Sequence, residues 1–95
     1  MKSGSVGHRI TQKLQQAFLP SELEVIDDSN KHAGHAGSRP GGETHFRVRI
    51  IAEAFDGKSR IDRHRMINTV LAEELAGPVH ALAITALSEK ERQVE

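Results

Sequence analysis

The stretch His45-Phe46-Arg47-Val48-Arg49-Ile50-Ile51-Ala52 constrains this chain more than any other. Phe46, Val48 and Ile50 fall on one face, and His45, Arg47 and Arg49 fall on the other. Period-two alternation of that kind specifies a half-buried strand over His45 to Ala52. Its apolar face must be covered by another layer, and its edges need partners. Upstream, Glu22 to Asp28 predicts a shorter strand, with Leu23 and Val25 inward, Glu22 and Glu24 in water, and Asp27-Asp28-Ser29-Asn30 as its end. The two strands make an antiparallel hairpin with an unusually long connection, Lys-His-Ala-Gly-His-Ala-Gly-Ser-Arg-Pro-Gly-Gly-Glu-Thr-His over residues 31–45.

Helices are expected on either side of the hairpin. Val6, Ile10, Leu14 and Ala17 share one face of a helix over Val6 to Phe18, with Arg9, Lys13 and Gln16 outside. Ser5 caps that helix and Pro20 stops it. After the turn Phe55-Asp56-Gly57-Lys58, Ser59 and Asp62 have capping-box spacing, with Asp in place of the usual Glu. Met66, Ile67, Val70, Leu71 and Leu75 then follow the helical period until Gly77-Pro78 ends it. Val79 to Leu87 reads as a third strand, apolar on both faces and therefore covered. The charged tail from Ser88 is a short solvated helix or frays.

The order α-β-β-α-β predicts an α+β fold, a three-stranded mixed sheet with helices packed on one face. The 95 residues form one domain, with an ordered core over about 6–87, a glycine/histidine loop at 29–44 and a solvated tail at 88–95. That order matches type II KH-like domains. KH domains that bind RNA clamp its backbone with a GXXG loop, but here the corresponding turn is Gly57-Lys58-Ser59-Arg60. The second glycine is absent, which disfavours RNA binding by that clamp.

Composition excludes several classes of function. Thirteen basic and thirteen acidic side chains cancel, so the chain has no overall bias towards nucleic acid or membrane. No apolar run approaches membrane-spanning length, and Met-Lys-Ser-Gly-Ser-Val-Gly lacks the apolar core of a signal peptide. A cytoplasmic protein with no membrane partner is expected. The absence of Trp and Tyr argues against a sugar cleft or a base-stacking platform. The absence of cysteine removes disulfides, zinc-thiolate sites and thiol catalysis. No nucleophile–base pair with an orienting acid is evident around Ser29, Ser38 or Thr44, so catalysis is not expected.

The long connection holds three of the six histidines and four of the eight glycines. Imidazole is both a metal ligand and a titrating group near neutral pH. A solvated role is the ordinary reading of such histidines. His80, at the start of the third strand, reads either as a ligand or as a buried histidine hydrogen-bonded to backbone. His45 reads as structural at the base of the loop. A [2Fe–2S] cluster needs four protein ligands, commonly thiolates, some of which imidazole can replace. A chain without thiols can offer only part of such a set, which favours a site shared with a partner.

Several motifs lie in order along the chain: Glu43-Thr44-His45-Phe46, the turn Phe55-x-Gly57, Arg63-His64-Arg65, Leu71-Ala72-Glu73-Glu74-Leu75 and Val79-His80-Ala81-Leu82. In these the chain resembles the BolA family over nearly its whole length. The resemblance implies a non-enzymatic adaptor that pairs with a monothiol glutaredoxin and serves iron–sulfur trafficking or iron regulation. In such a pair a [2Fe–2S] cluster is bridged, with cysteine and glutathione supplied from the partner's side. It also implies His80 as one ligand and a loop histidine as another. His32 follows Asp28-Ser29 at a family-like distance. His35, between Gly34 and Gly37, is presented more freely, and the two together form an H-x-x-H pair able to hold a divalent ion. Alone, the chain is expected to be a monomer or weak dimer.

Arg60, Arg63, His64 and Arg65 precede or open the second helix, where cations oppose the helix dipole by up to about 1 kcal/mol each. That placement points to an anionic partner: a phosphate, a nucleic-acid backbone or the glutathione carboxylates of a glutaredoxin complex. Neutralisation by Asp56, Asp62 and Glu73 is the plainer reading. Some bacterial members of the family are described as transcriptional regulators, so DNA is the alternative partner.

Overall fold

The computed structural model describes residues 5–28 and 44–92. The loop histidines His32 and His35 lie outside them. In chain order the elements are α1 (Val6–Phe18), β1 (Glu22–Asp27), β2 (His45–Ile51), a 3-10 turn (Glu53–Phe55), α2 (Arg60–Val70), α3 (Ala72–Ala76), β3 (Ala81–Leu87) and α4 (Glu89–Arg92). The sheet order is β1-β2-β3, with β1 antiparallel and β3 parallel to β2. The helical segment between β2 and β3 supplies the crossover that a parallel pair requires.

Helix α1 starts where Ser5 accepts a hydrogen bond from the His8 N–H at 3.2 Å. It stops at Leu19, which takes a left-handed φ of 47° ahead of Pro20. Its buried face is Val6, Ile10 and Leu14. Ala17, expected on that face, is exposed, and Phe18 turns inward instead. The Phe18 ring packs 5.0 Å from that of Phe55. Phe55, Ile67 and Leu71 complete the core against Phe46, Val48 and Ile50 of β2. The turn reaching α2 passes through Gly57 at φ 75°, a conformation that glycine adopts without strain.

The second helix is not continuous. It breaks at Leu71 (φ −101°, ψ 21°), and α3 begins at the next residue. Just before the break, the Thr69 hydroxyl donates to the Arg65 carbonyl at 2.9 Å, a back-bond of the kind that bends helices. Bending there keeps both Ile67 and Leu71 fully buried. Glu74 of α3 is buried beneath α1 and paired with Lys13 at 3.0 Å and Arg9 at 3.5 Å. Hydrogen bonds from Lys13 to Glu73 and then to Glu74 raise the Lys13 pKa. These pairs fasten α1 to α3.

The third strand begins at Ala81 rather than Val79. The Val79 N–H closes the end of α3 by donating to the Glu74 carbonyl at 3.0 Å, so it is not available to the sheet. Nor is β3 covered on both faces. Leu82, Ile84 and Ala86 pack towards the core, whereas Ala81, Ala83 and Thr85 are exposed. The first two strands also end one residue earlier than their alternation suggests, at Asp27 and Ile51.

The segment after Ser88 forms the short helix α4 and is tied down. Ser88 and Glu91 make a capping box: the Ser88 N–H donates to Glu91 at 2.8 Å, and the Glu91 N–H donates to the Ser88 hydroxyl at 3.3 Å. Arg92 pairs with Glu22 at 2.7 Å and so reaches back to β1.

Candidate functional site

One corner of the sheet gathers both ends of the histidine-rich connection. The Asp28 N–H donates to the His45 carbonyl at 2.7 Å, closing the hairpin where the described part of β1 ends. At the other end, the carbonyl of the buried Thr44 accepts from the N–H groups of His80 (2.7 Å) and Ala81 (3.2 Å). His45 pairs in register with Ala81. The entry to β3 therefore lies against the exit of the connection.

His80 is exposed at this corner, which removes the buried, backbone-bonded alternative for its side chain. Its ring stands 6.3 Å from that of His45, with 21° between the planes. The Thr44 hydroxyl and His45 Nδ1 share a hydrogen bond at 2.9 Å. That bond orients the His45 ring in the way a neighbouring group orients a metal-binding imidazole. The structure thus brings together His45 and His80. Sequence reasoning assigned His45 a structural place only, and the signal that would have paired the two is the parallel register.

The donor set tests what such a corner can hold. Among the described residues, no three His, Cys, Asp or Glu side chains converge on one point to hold an ion. An exposed imidazole beside a second one, in a chain without thiols, fits a shared site in which other ligands come from outside.

The basic segment divides. Arg60 and Arg65 are exposed and His64 is half-buried. Arg63 is only 8% exposed and turned into the protein. Its Nε donates to the Lys58 carbonyl and its Nη1 to the Ala86 carbonyl, each at 2.9 Å. The guanidinium also binds both oxygens of Glu91. Those hydrogen bonds, followed by one from the Ser88 N–H, bring the Glu91 carboxyl down to about 2. Arg63 is therefore a clamp between α2, β3 and α4 rather than a contact for an outside anion. Its neutralising acid is Glu91, not Asp56, Asp62 or Glu73. Glu73 instead pairs with Lys13 at 2.8 Å. The Ser88-x-x-Glu91 capping box was the sequence signal that α4 is ordered enough to supply that acid.

The family model described as BolA-like protein matches residues 14–91. The chain belongs to the BolA-like family. It is 52% identical over 87 residues to BolA-like protein 1 of Pongo abelii, a match covering 88% of this chain and 61% of that protein. It is 51% identical over 87 residues to SufE-like protein 1, chloroplastic/mitochondrial, of Arabidopsis thaliana, covering 87% of this chain but 24% of the plant protein. The chain thus spans about three fifths of the one relative and about a quarter of the other. The DNA-binding transcriptional regulator BolA of Escherichia coli is 45% identical over 86 residues, covering 90% of this chain and 78% of the regulator. Among solved structures, the BolA domain of SufE1 from Arabidopsis thaliana superposes with a TM-score of 0.83 at 49% identity, covering 93% of this chain and 96% of that one. Among the described residues of this BolA-like chain, no helix is long and apolar enough to cross a membrane.

Proposed function

We propose that this BolA-like chain is a non-enzymatic adaptor that pairs with a monothiol glutaredoxin and co-ligates a bridging [2Fe–2S] cluster through histidine. The observation that carries the reading is the exposed His80, standing beside His45 where the histidine-rich connection rejoins the sheet. Neutral imidazole donates a nitrogen lone pair to iron, and a partner contributes the thiolates this chain lacks. His80 is the ligand from the folded core, with His32 or His35 as the second. Thr44 supports the corner twice, through its carbonyl to His80 and its hydroxyl to His45. Such an adaptor serves cluster trafficking or iron regulation.

The reading predicts a stable mixed complex. When the protein is mixed with a cluster-loaded monothiol glutaredoxin and separated by size, the two chains should elute together with iron and sulfide in equal amounts. Elution of glutaredoxin with all the iron, and of this chain with none, counts against it. Within the complex, His32→Ala and His35→Ala should differ, one disturbing the visible spectrum of the cluster and the other leaving it unchanged.

A second reading, DNA binding for transcriptional regulation, rests on the exposed Arg60 and Arg65 flanking His64, and on the printed name of the Escherichia coli relative. Phosphate contacts by both arginines would make affinity fall steeply with salt. Arg60→Ala with Arg65→Ala should then flatten the log–log salt slope by about 2. Arg63 does not belong in that test, because its side chain is committed to the fold.

A further inference from the structure

The outer edge of β3 has unspent hydrogen-bonding capacity. The Ala81 N–H donates to the Thr44 carbonyl, and the Ala52 N–H donates to the Leu87 carbonyl. Odd-numbered residues of β3 thus turn their main-chain groups towards β2. Main-chain groups alternate sides along a strand, so Leu82, Ile84 and Ala86 turn theirs outward. The Ala86 carbonyl is taken by Arg63. Among the described residues, nothing pairs with the outward N–H and C=O groups of Leu82 and Ile84.

Edge strands are usually blunted by charge, proline or a covering element. Ala-Leu-Ala-Ile-Thr-Ala-Leu carries neither charge nor proline. Beside this edge runs a groove of about 320 Å³ between Ile84–Leu87 and the start of α2. Of the charges lining it, Glu91 and Arg63 answer each other. Lys58 and Arg60 remain exposed and form no ion pair among the described residues.

We infer that the open edge of β3 accepts an extended acidic peptide as a fourth strand, its backbone pairing with Leu82 and Ile84 and its carboxylates lying beside Lys58 and Arg60. Strand addition draws affinity from main-chain hydrogen bonds and specificity from flanking side chains. A nucleic acid offers no repeating N–H and C=O pair to this edge. It would also find no phenyl ring laid open for stacking, since Phe46 and Phe55 are buried and Phe18 packs into the core, leaving His64 as the one ring that lines the groove among the described residues. A second copy of β3 would bring no acid to Lys58 and Arg60. Arg63 on the Ala86 carbonyl limits the added strand to the first part of β3.

The test uses the protein alone and a synthetic hexapeptide of alternating valine and glutamate, so it is independent of any cluster or glutaredoxin. Amide hydrogen exchange at Leu82 and Ile84 should slow about tenfold or more on saturation with the peptide. Lys58→Glu with Arg60→Glu should weaken binding by about tenfold or more. A valine–lysine hexapeptide should not bind. The inference is overturned by failure of the acidic peptide to bind, by equal binding of the lysine peptide, or by shifts confined to residues 60–65 without protection at Leu82 and Ile84. Binding of a thymidine dodecanucleotide but not the peptide would assign the groove to nucleic acid. Protection that rises with protein concentration, without peptide, would assign the edge to a second copy.

Discussion

Arg63→Ala is expected to lower folding stability by roughly 2 kcal/mol, from its two charge-assisted bonds to backbone carbonyls alone. In a domain of this size that corresponds to a fall of roughly 10 °C in thermal midpoint. Arg65→Ala, at an exposed position two residues away, should change stability by no more than about 0.5 kcal/mol. The difference follows from where the side chains end. Arg63 joins the Lys58 and Ala86 carbonyls to Glu91, whereas Arg65 faces solvent. Thermal unfolding of the two variants measures it directly, and equal midpoints would contradict the clamp.

The same clamp has a pH dependence of fixed sign. The Glu91 carboxyl is held at about 2, below its ordinary 4.5, chiefly by hydrogen bonds from Arg63. A carboxyl that is more acidic when folded takes up protons preferentially in the unfolded chain. Its contribution is therefore complete above about pH 4.5 and is lost as pH falls towards 2. Glu22 and Glu73 are also held low, chiefly by Arg49 and Lys13 respectively, so they share the acid loss. Glu91→Gln should make the fall in midpoint between pH 5 and pH 2 shallower without abolishing it.

The elements with strong periodicity were legible in the sequence. Val6–Phe18, with its Ser5 cap, and the two strands of the hairpin needed only alternation, helical spacing and turn residues. What was not legible depended on tertiary competition for backbone groups. Val79 looks like strand, but its N–H is claimed by Glu74 at the end of α3. A single helical pattern ran through Leu71, but the chain bends there to bury both Ile67 and Leu71. At the candidate site, His80 was found from a motif. Its neighbour His45 was not, because their proximity depends on the register between strands far apart in sequence. Arg63, His64 and Arg65 read as one basic cluster, and only packing separates the inward arginine from the outward one.

Substituting His80 is expected to have the largest functional effect. The His80 side chain is exposed, with the His45 ring 6.3 Å from its own, and its hydrogen bond to Thr44 is made by the backbone N–H. Alanine keeps that bond, so stability should stay within about 0.5 kcal/mol of the parent while the imidazole is lost. Function and folding are thereby separated, which Arg63 does not allow.

The most direct measurement of the central claim is the visible absorption and circular dichroism of a cluster-loaded monothiol glutaredoxin, titrated with the parent protein and with His80→Ala. Exchange of a ligand at iron alters the charge-transfer bands of the cluster. The parent should change the spectrum to saturation, and His80→Ala should leave it as it is for glutaredoxin alone. A His80→Ala protein that reproduces the parent spectrum at the same protein concentration would contradict the assignment of His80 as the ligand from the folded core.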